Sequence, residues 1–145
     1  MLLYFRVLHS LASKADLCHE YNRRMPKQPK ILYLDDESDL LILASSFFEE
    51  AGLVIETCQE FAEAVKKIRA GSYDLIISDS RMPGGSGAQL YAIIKDERLS
   101  CGKFVIVTGH FDILDEPGHH EFDLVLFKPL HFQELVDQVK LLLKI

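Results

Sequence analysis

The chain has 145 residues, an apolar content of 48% and a formal net charge of −6. This length suits one domain with its own core, and the acidic balance argues against a general binder of nucleic acid or anionic membranes, which needs a basic surface. The three cysteines show no CxxC or metal-ligand spacing, which favours reduced thiols and a cytoplasmic location. No apolar run has the ~20 residues that a membrane span requires.

The first 24 residues form a segment without Gly or Pro, in which apolar residues recur at helical spacing. The stripe consists of Tyr4, Leu8, Leu11, Ala15 and Cys18. It predicts an amphipathic helix, and a linker with two prolines follows. We therefore expect a helical extension and linker over residues 1–29 and a separate domain over residues 30–145. The extension could pack on the domain, form a homodimer contact or dock a partner, or the biological start could lie at Met25.

From residue 30 onward, short apolar strands alternate with helices. The predicted strands are 31–34, 54–58, 75–78, 104–107 and 124–127, and the predicted helices are 38–51, 60–70, 89–96 and 133–143. In the first of these helices the side chains expected to face inward are Leu40, Leu41, Leu43, Ala44, Phe47 and Phe48. Gly52 and Gly71 are expected to close the first two helices. The alternation predicts an α/β fold of the flavodoxin-like kind, a doubly wound five-stranded parallel sheet in the order 2-1-3-4-5 with helices on both faces.

Polar residues follow four of the predicted strands at the point where each strand ends. They are Asp35 and Asp36, Asp79, Thr108, and Lys128. In a parallel sheet these ends lie along one edge, at the crevice where ligands bind. The three carboxylates would repel one another there, and a hard divalent cation with oxygen ligands, best of all Mg²⁺, would relieve the repulsion.

The same residues suit a phosphoryl-transfer site in which Asp79 is the nucleophile. A phosphoryl group on Asp79 would bring about −2, which together with Asp35 and Asp36 nearly balances Mg²⁺ and Lys128. Such balance is what phosphoryl transfer requires. The Thr108 hydroxyl could donate to a phosphoryl oxygen. The glycine-rich stretch 82–87 lets the chain turn sharply above the site, and the backbone carbonyl of Arg81 could face the metal.

Residues 30–145 resemble a response-regulator receiver domain of two-component signalling. The resemblance rests on the acidic pair after the first strand, on the stretch DSRMP with Gly87 after it, on the Thr-Gly pair at 108–109 and on the Lys-Pro pair at 128–129. It implies that Asp79 accepts a phosphoryl group from a sensor histidine kinase, a phosphotransfer protein or a small phosphodonor. It also implies a cis peptide bond between Lys128 and Pro129. The implied Mg²⁺ ligands are Asp35, Asp36, Asp79 and the Arg81 carbonyl, and the implied phosphoryl contacts are Thr108 and Lys128.

The chain departs from the family at two places. The family often has Tyr or Phe three residues before the lysine, whereas this chain has Val125. Residues 110–123 read HFDILDEPGHHEFD, where the family usually has a regular helix. Because Pro117 and Gly118 interrupt helix formation there, we expect the fourth helix of the domain to be short or irregular.

Three functions are compatible with this sequence. The first is a stand-alone phosphoacceptor receiver, expected because the chain stops at Ile145, that alters its affinity for an unknown partner protein and catalyses only its own phosphorylation and dephosphorylation. The second is an interaction module of the same fold whose phosphate-driven switching is weak or lost, as Val125 and the interrupted helix suggest. The third is a Mg²⁺-dependent phosphohydrolase, which usually needs a D-x-D signature that residues 35–37 do not supply.

Overall fold

A computed structural model describes residues 13–24, 26–115, 118 and 121–145 of the chain. The helices are α1 (Lys14–Arg24), α2 (Ser38–Glu50), α3 (Phe61–Ala70), α4 (Gly87–Asp96) and α5 (Phe132–Leu143). The strands are β1 (Ile31–Leu34), β2 (Ile55–Cys58), β3 (Tyr73–Asp79), β4 (Arg81–Met82), β5 (Gly85–Ser86), β6 (Cys101–Thr108) and β7 (Leu124–Phe127). A short 3-10 helix, the 3-10 segment, spans Phe111–Asp115.

Five of the strands form a parallel sheet in the order β2-β1-β3-β6-β7. This is the predicted order 2-1-3-4-5, because β4 and β5 pair antiparallel in a small hairpin outside the sheet. The middle strand β3 pairs with β1 on one side and with β6 on the other. Its apolar residues Leu75, Ile76 and Ile77 are all fully buried, which explains why the strand reads as a continuous apolar run.

Two hydrophobic clusters cover the two faces of the sheet. Along β1, Ile31 and Tyr33 face the cluster that α2 and α5 complete, and the alternate residues Leu32 and Leu34 face the cluster that α3 and α4 complete. Burial of each such Leu or Ile side chain stabilises the fold by roughly 1.5–3 kcal/mol relative to an exposed side chain. The sheet is therefore held from both sides, and its strand ends are fixed relative to one another.

The helix ends follow the predictions in part. Gly52, just after α2, has a left-handed backbone with φ of 77°, as a closing glycine should. Gly71 follows α3 with an extended backbone instead. The prediction that Leu43 faces inward was wrong: its side chain is 47% exposed, because it lies off the stripe formed by Leu41, Ala44 and Phe48.

The connection from β6 to β7 has no regular α-helix among its described residues, which include the short 3-10 segment. The prediction of a short or irregular fourth helix is therefore confirmed. Ile113 anchors the segment in the core with 2% exposure. Phe111 is 74% exposed and stacks on Phe127 with ring centroids 4.8 Å apart.

The N-terminal helix α1 begins after Ser13, whose hydroxyl accepts a hydrogen bond from the Asp16 amide at 3.2 Å while the Asp16 carboxylate accepts one from the Ser13 amide at 3.1 Å. Ala15 and Cys18 of the predicted stripe are exposed. The other stripe residues, Tyr4, Leu8 and Leu11, lie outside the described residues. Within the described part of the chain, no helix has both the length and the apolar character to cross a bilayer.

Candidate functional site

Three carboxylates meet at the carboxyl edge of the sheet. Asp35 directly follows β1, Asp36 comes next, and Asp79 is the last residue of the neighbouring strand β3. One carboxylate oxygen from each of the three lies within 4.8 Å of the others. Asp35 is fully buried and Asp79 is 7% exposed, whereas Asp36 faces solvent. The sheet thus places Asp35 and Asp79 below the protein surface and Asp36 at the solvent-exposed mouth of the site.

Backbone hydrogen bonds hold the two buried carboxylates in place. The Asp35 amide donates to the Cys58 carbonyl at 3.1 Å, and the Asp35 side chain accepts a hydrogen bond from the Glu37 amide at 2.9 Å. After Asp79, the Ser80 amide still donates to the Val107 carbonyl of β6 at 3.0 Å. The chain therefore follows the sheet for one residue beyond Asp79 before it turns away, and the carboxylate stays aligned with the strand ends.

Lys128 joins the two buried carboxylates. Its amide donates to the Thr108 carbonyl at 2.7 Å, and its Nζ lies 3.2 Å from Oδ2 of Asp35 and 3.2 Å from Oδ2 of Asp79. Glu37 is a more distant third partner at 3.8 Å. The peptide bond between Lys128 and Pro129 is cis, as the resemblance implied. Burial alone would lower the pKa of Lys128, but the charges of Asp79 and Asp35 outweigh it, so that the pKa is raised and the ammonium form is favoured.

Burial raises the pKa of the Asp35 carboxyl, and the negative charge of Asp79 adds to this effect. The Glu37 amide and Lys128 act in the opposite direction and offset part of it. The nearby Tyr33 hydroxyl is buried and has no hydrogen-bond partner. Burial, followed by the charges of Asp35 and Asp79, raises the pKa of Tyr33, so the hydroxyl stays protonated.

Thr108 lies at the end of β6, and its hydroxyl is held by two neighbours. It accepts a hydrogen bond from the Ser80 hydroxyl at 2.7 Å and another from the His110 amide at 3.0 Å. Ser80 is only 4% exposed and directly follows Asp79. Sequence reasoning did not single out Ser80, although a small polar side chain directly after Asp79 was a usable signal.

Arg81 starts the β4–β5 hairpin directly above the site. Its amide lies 3.5 Å from Oδ1 of Asp79, and its guanidinium pairs with Asp112 of the 3-10 segment. Sequence reasoning missed this ion pair, because the two residues are 31 positions apart and the path of the connection is irregular. The role of the Arg81 carbonyl as a metal ligand stays a prediction.

This donor set fits a divalent metal ion. The three carboxylates carry three formal negative charges, and the ammonium of Lys128 offsets one of them. The remaining charge of two matches a hard cation such as Mg²⁺, which prefers oxygen ligands. The residues present at this edge of the sheet therefore fit such an ion.

Comparison with known proteins agrees with this geometry. The family model described as the response regulator receiver domain matches residues 31–140. The chain belongs to this family. Among curated relatives, this receiver is 28% identical over 119 residues to the transcriptional regulatory protein ResD of Bacillus subtilis, a match that covers 81% of this chain and 49% of ResD. The receiver thus spans about half the length of that relative, and 19% of DctD of Rhizobium meliloti, to which it is 33% identical over 91 residues.

Solved structures of receiver domains share the fold. The receiver domain of the Francisella response regulator 1452 superposes with a TM-score of 0.73 at 26% identity, over 81% of this chain and 98% of that chain. The response regulator TrrA of Thermotoga maritima, solved in complex with Mg²⁺-BeF, superposes with a TM-score of 0.70 at 32% identity, over 79% of this chain and 99% of that chain.

Proposed function

We propose that this receiver accepts a phosphoryl group on Asp79 from a sensor histidine kinase or a phosphotransfer protein. Asp79 attacks the phosphorus of the donor through a carboxylate oxygen, the bond from phosphorus to the donor breaks, and an acyl phosphate forms on Asp79. The chain acts as a phosphoacceptor that changes its affinity for a partner protein, rather than as an enzyme that turns over a separate substrate. We assign the receiver domain to residues 30–145 and a helical extension with a linker to residues 1–29. We expect the protein to act in the cytoplasm.

The observation that carries this proposal is the position of Lys128. Its ammonium contacts both buried carboxylates at 3.2 Å and is fixed to the end of β6 through its own amide. A cation held in this way remains beside Asp79 when negative charge builds up on the phosphoryl group, so it stabilises that charge without reorganisation. Thr108, whose hydroxyl accepts a hydrogen bond from the Ser80 hydroxyl, is the proposed hydrogen-bond donor to a phosphoryl oxygen.

Asp35, Asp36, Asp79 and the Arg81 carbonyl would hold Mg²⁺. When bound, the metal supplies charge neutralisation for the phosphoryl oxygens. Within the chain, burial of Asp35 keeps one ligand rigid, and the exposure of Asp36 leaves the mouth of the site open to a donor. The complex of TrrA with Mg²⁺-BeF supports the same ligand chemistry for this receiver.

The direct test is phosphoryl incorporation from acetyl phosphate in the presence of Mg²⁺, measured by intact-protein mass spectrometry. We expect one phosphoryl group per chain, complete loss of incorporation in Asp79→Asn, and unchanged incorporation in the control Asp96→Asn, which removes an exposed carboxylate at the end of α4. A folded wild-type protein that takes up no phosphoryl group would refute the proposal.

A second candidate function is a receiver-fold interaction module without phosphate-driven switching. It is favoured by Val125, which stands where the family often has an aromatic residue, and by the 3-10 segment in place of a regular helix. This alternative predicts that Asp79 is labelled but that amide resonances of residues 111–115, the 3-10 segment, do not move. Shifted resonances in that range would favour the first function.

A further inference from the structure

The side chain of Arg81 connects the β4–β5 hairpin, which follows Asp79, to the 3-10 segment. Its Nη2 lies 2.5 Å from Oδ2 of Asp112, while its own amide lies 3.5 Å from Oδ1 of Asp79. Both side chains of the pair are about half exposed. The backbone of Arg81 is thus next to the phosphoacceptor carboxylate, and its positive charge is held by another carboxylate nearby.

The base of Arg81 is fixed by the hairpin that carries it. Met82, the next residue, is 8% exposed and packs in the cluster beneath α3 and α4. Gly85 lies so close to Phe61 that an added Cβ would come within 2.5 Å of the ring. Because the hairpin is packed against the core at these two points, we expect the guanidinium to move on its flexible stem while the backbone stays in place.

The other end of the ion pair is held more loosely. The 3-10 segment is five residues long, and Ile113 is its buried residue. Phe111 stacks on Phe127 but is 74% exposed, and Leu114 is 44% exposed. Such a segment, with little buried surface, is the kind of element that a small change in contacts can shift.

We propose that the guanidinium of Arg81 leaves Asp112 and binds the phosphoryl group on Asp79, so that phosphorylation alters the position of the 3-10 segment. This inference rests on the proposed function. A phosphoryl group carries a charge of about −2 and three acceptor oxygens, and guanidinium groups bind such oxygens in a bidentate fork. The single carboxylate of Asp112 offers less charge and competes for the same donor.

Competition of this kind makes the two contacts reciprocal. If loss of the Asp112 contact strengthens phosphoryl binding, then phosphoryl binding weakens the Asp112 contact by the same factor. Removal of the Asp112 charge should therefore free Arg81 in advance and increase the affinity of the site for a phosphoryl mimic. In such a variant, binding of the phosphoryl mimic would no longer change the position of the 3-10 segment, because the Arg81–Asp112 ion pair is already absent.

The test uses beryllofluoride in Mg²⁺, with bound fluoride followed by fluorine NMR. We expect Asp112→Asn to lower the half-saturating concentration by roughly two- to fivefold, the factor that an exposed ion pair is worth. Asp115→Asn, which removes the same charge from the same segment, is the matched control and should bind like wild type. Arg81→Gln should bind more weakly than wild type.

A fluorescent reporter measures the segment itself. The chain contains no Trp, so Phe111→Trp places a single indole on the Phe127 ring. We expect beryllofluoride to change the emission of this variant, and the double variant with Asp112→Asn to show the altered emission before any addition.

Equal affinities of Asp112→Asn and Asp115→Asn, or an emission that does not respond to bound beryllofluoride, would overturn the inference while leaving the proposed function intact. A folded wild-type protein that binds no beryllofluoride would overturn both.

Discussion

Replacement of Lys128 by Met should destabilise the protein strongly, and more so at neutral than at acidic pH. The ammonium lies 3.2 Å from each of two buried carboxylates, Asp35 and Asp79. At an effective dielectric constant of about 20, each contact is worth roughly 5 kcal/mol before the cost of desolvation is deducted. Loss of one partner from a buried pair costs about 3–5 kcal/mol. Because Lys128 is 23% exposed, solvent screens part of this, and we expect a loss of about 2–3 kcal/mol in the free energy of unfolding at pH 7.

The pH dependence follows from the raised pKa of Asp35. An acid whose pKa is higher in the folded state binds its proton more tightly there, so its stabilising effect is present below the unfolded pKa and is lost as pH rises through the folded value. Removal of Lys128 raises the folded pKa further. The deficit of the variant should therefore be largest at pH 7 and should shrink toward about pH 4.

Urea unfolding followed by far-UV circular dichroism, in EDTA, measures both effects. The matched control is Lys103→Met, which breaks the more exposed pair with Asp123 at 3.3 Å and should cost less than about 1 kcal/mol. If Lys128→Met costs no more than this control at pH 7, or if its deficit does not shrink with acid, the electrostatic account of the site is wrong.

Three further predictions concern the surroundings of the site. Tyr33→Phe should leave stability unchanged or raise it by about 1 kcal/mol in urea unfolding, because it removes a buried hydroxyl without a partner; a clear loss would show that the hydroxyl is bonded. Gly87→Ala should cost about 1–3 kcal/mol, because the new Cβ would lie 2.5 Å from Ile106 and 2.9 Å from the Asp79 carbonyl, whereas Gly109→Ala, which meets no atom within 4 Å, is the control for the same assay. Asp36→Asn should weaken Mg²⁺ binding in calorimetric titration, and Asp39→Asn, in the first turn of α2, should not; equal affinities would remove Asp36 from the ligand set.

The sheet and the residues at its carboxyl edge could be predicted because both depend on local patterns. Ile31–Leu34 is a continuous apolar run of strand length, and the structure assigns the strand to the same four residues. Asp35 and Asp79 each follow such a run, so the topology of a parallel sheet was sufficient to expect them together. The strand β3 begins at Tyr73, two residues before the predicted start, because Tyr73 pairs with Cys101 of β6. The prediction began later because Asp74 interrupts the apolar run.

The contacts between loops could not be predicted in the same way. The Ser80–Thr108 hydrogen bond and the Arg81–Asp112 ion pair join residues 28 and 31 positions apart. Each depends on how an irregular connection leaves the sheet, and side-chain periodicity carries no information about such a path. The exposure of Leu43 has a related cause, since several apolar residues in α2 compete for one buried stripe and composition alone does not decide which of them faces the core.

The central claim is that Asp79 is the residue that carries the phosphoryl group. After incubation with acetyl phosphate and Mg²⁺, reduction with borohydride traps the acyl phosphate at its site, and peptide mass spectrometry locates the reduced residue. The account predicts a single reduced position, Asp79. Reduction at Asp35 or Asp36 instead, or at no aspartate of a folded protein, would contradict it.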